Sequence, residues 1–385
     1  MNPNVKKVLI HGGLFLVTLL TTTLAGAEWI YGRFPDMPKG FPSLTLDEIR
    51  TGFQFSIPFL TVLTVHEFGH YFTAKANRVR VTLPFYLPFW LGMFYINSIG
   101  TFGAFIRIQD YINSRRKYFD IGIAGPLAGF VVAIVLIWYG FTHLPPIDYI
   151  FKIHPEYKKF GLRYGEYAYL NLPEGTAMKL GDNLIFWFFK TYVADPSRLP
   201  HPYEMVHYPY LLAGYLSLFF TSLNLLPIGQ LDGGHVLYAL IGSKRHRLIA
   251  PVLYVLFMFY AGLGLYTVDT FSTASDEAFY KELMNLGIYI LFLYICFYRL
   301  TEDRGMTWVL ALSMVLVQFG VTWLFPAVRG YSGFLAFGFL LGRFIGVYHP
   351  ETELQEPLDT KRKVLGWLAL IVFLISFSPA PFDFL

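Results

Sequence analysis

The sequence predicts an all-α polytopic membrane protein, a multi-span helical bundle with a short membrane-associated β-hairpin. Three observations predict it. Of 385 residues, 55% are hydrophobic and 15% charged, against about 25% charged in an ordinary soluble domain. Apolar stretches near the length of a bilayer crossing recur from end to end. One further apolar segment, crowded with proline, aromatic residues and glycine, suits neither a helix nor a soluble loop. A large soluble protein with buried helices is excluded, because so many apolar stretches would leave no surface for water.

The first span covers about 8–27. Lys6 and Lys7 precede VLIHGGLFLVTLLTTTLAGA, which resembles a signal peptide in its charged start and small-residue end. In a chain that is apolar throughout, it is read as a retained span. The second span, about 53–76, is FQFSIPFLTVLTVHEFGHYFTAKA. The segment at about 79–108 contains several residues that interrupt a helix. It reads as strands or a re-entrant hairpin around Asn97 to Gly103, with an interfacial loop as the alternative. Such backbone reaches membrane depth only where protein or a water-filled cavity satisfies it.

A third span, about 118–141, contains GIAGPLAG. Its small residues permit close helix approach, and Pro126 is expected to bend or locally break it. Residues 142–206 form the longest polar segment, with Pro145, Pro146, Pro155, Pro173, Pro196, Pro200 and Pro202. They read as an extramembrane excursion with short helices. The fourth span starts near Tyr208 and ends around SLNLLPIGQLDGG. Later apolar segments at about 248–266, 283–299, 306–325, 332–346 and 364–378 bring the total to about 8–9 spans.

Flanking charge orients these spans. Lys6 and Lys7, then Lys75, Arg78 and Arg80, then Arg115 to Lys117, Lys244 to Arg247 and Lys361 to Lys363 fall on one side. Glu28, Asp36, Asp47 and Glu48, and later Asp269 to Glu282, fall on the other. The basic side is the cytoplasmic one by the positive-inside rule, so the N-terminus is cytoplasmic. A formal charge of +4, gathered in such clusters, gives no reason to expect nucleic acid. The single cysteine, Cys296, excludes an internal disulfide framework and cysteine-only metal sites.

The chemistry begins at His66, Glu67 and His70, in the order HEFGH. Residues four apart share a helix face, so both imidazoles can reach one zinc ion. Glu67, beside the first ligand, can take a proton from the attacking water and pass it to a leaving amine. Three ionisable side chains inside an apolar span are costly without a role. Histidines satisfied by neighbouring helices are the structural alternative.

A third ligand must come from elsewhere, and His11, Asp182, His207, Asp232, His235 and His246 are the candidates. Asp232 is preferred, because Gly233 and Gly234 allow an unusual backbone path beside a metal and a carboxylate offsets the ion's charge. Asp232 as cap of a helix starting at His235 remains the competing role. Asn224 can hold a substrate or polarise its carbonyl, or act as interhelical glue. His235 can be an outer-shell donor or simply a loop histidine.

Taken together, these segments resemble the site-2 protease family of intramembrane zinc metalloproteases. HEFGH matches the family's first motif and NLLPIGQLDGG, Asn224 to Gly234, its second, although LPIG departs from compact versions. GIAGP resembles its third-span signature and GTFGAFI, Gly100 to Ile106, its membrane-associated hairpin. The likeness covers about 50–245. It is nearest to bacterial and plastid relatives without an inserted peptide-binding domain.

The resemblance implies one zinc per chain, bound by His66, His70 and Asp232. It makes Glu67 the catalytic base and assigns substrate binding or polarisation to Asn224. The hairpin would guide an extended substrate by strand addition. The implied partners are the lipid bilayer and a transmembrane protein or membrane-bound peptide, cut near the cytoplasmic side. The expected organisation is 1–50, an N-terminal span and external loop; 51–245, the catalytic membrane core; and 246–385, the C-terminal spans. A catalytically silent relative would have lost Glu67 or a ligand, and a transporter gives no reason for the HEFGH pattern. The expected location is a bacterial inner membrane, ahead of a plastid membrane.

Overall fold

The computed structural model describes residues 3–37, 43–170, 173, 177–272, 276–301 and 303–384. Parts of the loop after the first span, 38–42, and of the excursion, 171–172 and 174–176, lie outside the described residues. Helices dominate. The principal ones are α1 (Pro3–Tyr31), α2 (Phe53–Ala76), α3 (Arg115–Thr142), α4 (Pro209–Asn224) and α5 (Asp232–Ile241). They are followed by α6 (Ser243–Gly262), α7 (Asp276–Phe297), α8 (Arg304–Leu324), α9 (Phe334–Leu340) and α10 (Thr360–Ser376).

Among the described residues, four stretches, Lys6–Tyr31, Arg115–Thr142, Glu277–Phe297 and Arg304–Leu324, are long and apolar enough to cross a membrane. The chain is thus a mostly helical, multi-span membrane protein. Helix α2 has 24 residues, about 36 Å at 1.5 Å per residue, but His66, Glu67, His70 and Lys75 dilute its apolar character. Helix α3 runs unbroken across Pro126, which corrects the expected local break. Membrane helices tolerate proline where neighbouring segments and small local adjustments satisfy the freed carbonyl.

Two compact units form: Met1–Ile112 with Asp120–Asn224 and Ile371–Leu385, and Asn113–Phe119 with Leu225–Leu370. In the first, Phe55, Phe59 and Val62 of α2 pack with Ala133, Ile137 and Phe141 of α3 and with Leu212, Tyr215 and Leu216 of α4. Lipid is as apolar as these side chains, so close packing rather than water exclusion must hold such helices together. Glycines supply the closeness. A Cβ at Gly214 would lie 2.7 Å from Ile137 Cδ1, and one at Gly140 would lie 2.9 Å from Leu211 Cδ2.

Strands β1 (Phe85–Pro88) and β2 (Thr101–Phe105) pair antiparallel within the expected segment, with Phe85 opposite Phe105 and Pro88 opposite Thr101. The Thr21 hydroxyl donates to Gly100 O at 2.7 Å and His11 Nδ1–H donates to Pro84 O at 3.0 Å, tying this pair to α1. Gly100 has φ +84° and its Cβ would stand 2.4 Å from Thr22 Cα, so only glycine fits there. The excursion is built of short helices, among them Ile150–Ile153, Leu184–Tyr192 and the 3₁₀ turn Pro202–His207. Its strand β3 (Met178–Leu180) pairs antiparallel with β4 (Phe382–Phe384) at the end of the chain.

In the second unit, α9 continues as a short π-helical turn, Leu341–Ile345. Tyr254 of α6 is buried and donates to Gly338 O at 2.9 Å, pinning α6 to α9. Cys296 is fully buried.

Candidate metal centre

His66, Glu67 and His70 are all buried on α2, at 5–7% exposure. The i, i+4 spacing brings the two Nε2 atoms to 3.1 Å. Two ligands of a tetrahedral zinc, each bonded at 2.0–2.1 Å, stand about 3.3 Å apart, so the pair fits. His70 Nδ1–H donates to Ile121 O at 2.7 Å, which leaves Nε2 with the lone pair that a metal needs. Glu67 points round the helix from this face, with Oε1 3.9 Å from His66 Nε2.

Helix α3 backs the histidines because its small residues remove the obstacles. A Cβ at Gly125 would lie 2.2 Å from His70 Nε2, and one at Gly129 would lie 3.1 Å from His66 Cβ. From the other side, a Cβ at Gly69 would lie 2.7 Å from Ala124 O. GIAGPLAG is therefore a socket for two imidazoles. Two residues before His66, Thr64 Oγ1 and Tyr86 OH are hydrogen-bonded at 2.7 Å, which fastens β1 to α2 beside the centre.

Helix α4 ends at Asn224, which is half-buried. In the second unit the chain turns through Gly229, at φ +59°, and α5 starts at Asp232. The cap position of α5 is Leu231, with no side-chain cap, so Asp232 is not the capping residue. A Cβ at Gly233 would meet Leu225 O at 1.9 Å and one at Gly234 would meet Gly229 O at 2.2 Å. This tight fold-back is what the two glycines permit.

His235, in the first turn of α5, donates through Nδ1–H to His349 Nε2 at 2.8 Å. His349 in turn donates to Pro350 O and stacks on Tyr238 at 3.8 Å. Burial pushes His349 down to about 3, so it stays neutral. Sequence reasoning missed His349, because no pattern connects it to a motif 114 residues away.

Among the described residues, His66 and His70 form a pair, and His154, Glu204 and His207 a group of three, with donors suited to a metal. Two imidazoles and a carboxylate fit zinc. The competing third-ligand candidates are engaged in other contacts. Asp182 pairs with Lys190 at 2.6 Å, His11 with Pro84 at 3.0 Å and His235 with His349; His246 is buried near Tyr238, and His207 belongs to the other group. Burial holds the Glu204 carboxyl above its usual range and pushes His207 down to about 4.

A model of peptidase family M50 matches residues 54–265. The chain is 28% identical over 200 residues to "Probable zinc metalloprotease EGY2, chloroplastic" of Oryza sativa subsp. indica, covering 52% of this chain and 31% of the relative. The Arabidopsis thaliana EGY2 protein is 27% identical over 242 residues, 60% of this chain and 36% of the relative. "Probable zinc metalloprotease EGY1, chloroplastic" of Oryza sativa subsp. japonica is 25% identical over 245 residues, 60% of this chain and 37% of the relative. The chain thus spans about a third of the length of these curated relatives. No solved structure gives a significant match. The expected bacterial inner membrane is corrected by these matches, whose names place the relatives in plant chloroplasts. Positive-inside charge fails to make that distinction because it reports sidedness and not which membrane is crossed. With more than half of its length matched to the family model, and HEFGH within the match, the chain belongs to peptidase family M50, the site-2 protease family of intramembrane zinc metalloproteases.

Proposed function

We propose that this chain is a zinc endopeptidase that hydrolyses peptide bonds of membrane-protein substrates, with residues 51–245 as its catalytic core. The single observation that carries the proposal is the buried HEFGH face, with two imidazole nitrogens at zinc-ligand spacing and a carboxylate beside them. His66 and His70, with Asp232 as third ligand, would hold one zinc at this site. When bound, zinc supplies Lewis acidity to the scissile carbonyl and the attacking water. Glu67 takes the proton of that water and returns it to the leaving amine. Asn224 donates its amide N–H to the carbonyl oxygen as negative charge grows there.

The β1–β2 pair is the membrane-associated substrate guide. Leu87, Phe102 and Phe105 are exposed apolar side chains on it, as a lipid- or substrate-facing surface requires. A substrate strand adds to its open edge, bonding through backbone and tolerating varied side chains. Cleavage lies toward the face that carries the Lys and Arg clusters.

The test is cleavage of a panel of membrane proteins by wild type and Glu67→Gln. Wild type should cut at least one, and Glu67→Gln should keep its zinc but cut none. Equal cleavage by both proteins removes the proposal.

A further inference from the structure

We propose that His154, Glu204 and His207 form a second metal site, distinct from the HEFGH centre, which takes a zinc-type divalent ion. His154 Nε2 and His207 Nε2 are 3.4 Å apart. Glu204 Oε2 stands 3.4 Å from His207 Nε2 and 3.7 Å from His154 Nε2. These three edges are close to the roughly 3.3 Å edge of a tetrahedral zinc site.

The protons of the cluster make the stronger case. His207 Nδ1–H donates to Ile30 O at 2.7 Å, with Trp29 O at 3.1 Å. His154 Nδ1 lies 3.0 Å from Glu156 Oε1, a carboxylate that can only accept, so Nδ1 carries the hydrogen. Tyr169 OH donates to Glu204 Oε1. Every outer atom is thereby engaged, and with Glu204 ionised the three inner atoms are all acceptors facing one another. Glu204 is 2% exposed, and its Oε2 has no hydrogen-bond partner. A buried carboxylate oxygen left against two lone pairs costs several kcal/mol by the usual scale of such groups. A divalent cation satisfies all three at once. The arrangement, with each ligand's far atom held by a carbonyl, carboxylate or hydroxyl, is that of a metal site with its supporting shell in place.

Two imidazoles and one carboxylate select zinc-type ions over calcium or magnesium, which prefer oxygen. The His154 side chain is 27% exposed, which gives the ion an entry path and leaves a fourth position for water. The bound ion would clamp the end of helix Ile150–Ile153 to the turn Pro202–His207, with the last turn of α1 holding His207 in place. It would be a structural staple on the excursion rather than a reaction centre.

The experiment counts zinc in full-length protein purified in detergent, reconstituted with zinc and freed of loose metal, by plasma mass spectrometry. Wild type should hold about two ions per chain and His66→Ala/His70→Ala about one. Adding Glu204→Gln to that double variant should remove the remaining ion, and so should adding His154→Ala, which trims a part-exposed ring. Cobalt in His66→Ala/His70→Ala should give the visible absorption of a tetrahedral site, lost with Glu204→Gln. The proposal is overturned if His66→Ala/His70→Ala binds no ion, which would mean that a shared proton bridges the cluster. It is equally overturned if the ion persists with both Glu204→Gln and His154→Ala. Because the count is made without the HEFGH ligands and without an activity readout, its failure is separable from failure of the proposed peptidase function.

Discussion

Gly125→Ala tests how the imidazoles are held. A methyl at this position of α3 would sit 2.2 Å from His70 Nε2 and 2.6 Å from its Cε1. Non-bonded carbon and nitrogen settle at about 3.5 Å or more, so the ring must withdraw by over about 1 Å or the helices must part. The ring is not free to swing, because Ile121 O on the same helix holds Nδ1 at 2.7 Å. Metal–nitrogen bonds tolerate only about 0.2 Å of error. Two effects therefore oppose each other. Alanine gains up to about 1 kcal/mol of helix propensity over glycine, while overpacking costs about 1–3 kcal/mol, concentrated here on a ligand. The clash should dominate the metal even where it does not unfold the protein. Zinc should bind roughly 10–100-fold more weakly, by that energy range, and cleavage should fall on the order of 100-fold. Chelator competition measures the first and a substrate cleavage rate the second. Gly12→Ala, where nothing lies within 4 Å, is the control and should change neither. A Gly125→Ala protein with wild-type zinc affinity and rate would refute the socket.

The remaining predictions concern the other half of the centre and the hairpin. Asp232→Asn should weaken zinc and abolish cleavage; native affinity and activity in that variant, with another residue found on the metal, would remove Asp232 from the ligand set. Gly233→Ala places a methyl 1.9 Å from Leu225 O, a backbone atom that cannot rotate away, so it should cost about 1–3 kcal/mol or more and lower Tm in a detergent melt. Phe102→Cys and Phe105→Cys lie on exposed positions of β2 and should crosslink to a substrate trapped on Glu67→Gln. Buried Cys296 should contribute no background, and crosslinks confined to positions in α7–α10 would move the substrate path away from the hairpin.

Most of the helices and the heart of the centre were legible in the sequence because their signals are local. Apolar runs placed α3 and α8 within a few residues, while α7 starts seven residues before its expected segment. The His66–His70 spacing sufficed to place two imidazoles on one face, since helix geometry is the same in every context. The poor helix material between Val79 and Ile108 marked the β1–β2 pair. Of the bend or local break expected at Pro126, the break does not occur, because neighbouring segments can satisfy the freed carbonyl.

What the sequence by itself determined, then, was the class of protein, the HEFGH face and the need for glycine around Asp232. Each follows from composition or from spacing inside one element. Only the tertiary structure decided that Gly125 and Gly129 serve the two imidazoles, and that β3 pairs with β4 across some 200 residues of chain. It also decided that His154 meets Glu204 and His207, and His349 meets His235. Those meetings join residues whose separation carries no period. They depend on how whole helices and loops pack, a sum over many weak contacts that no short motif encodes.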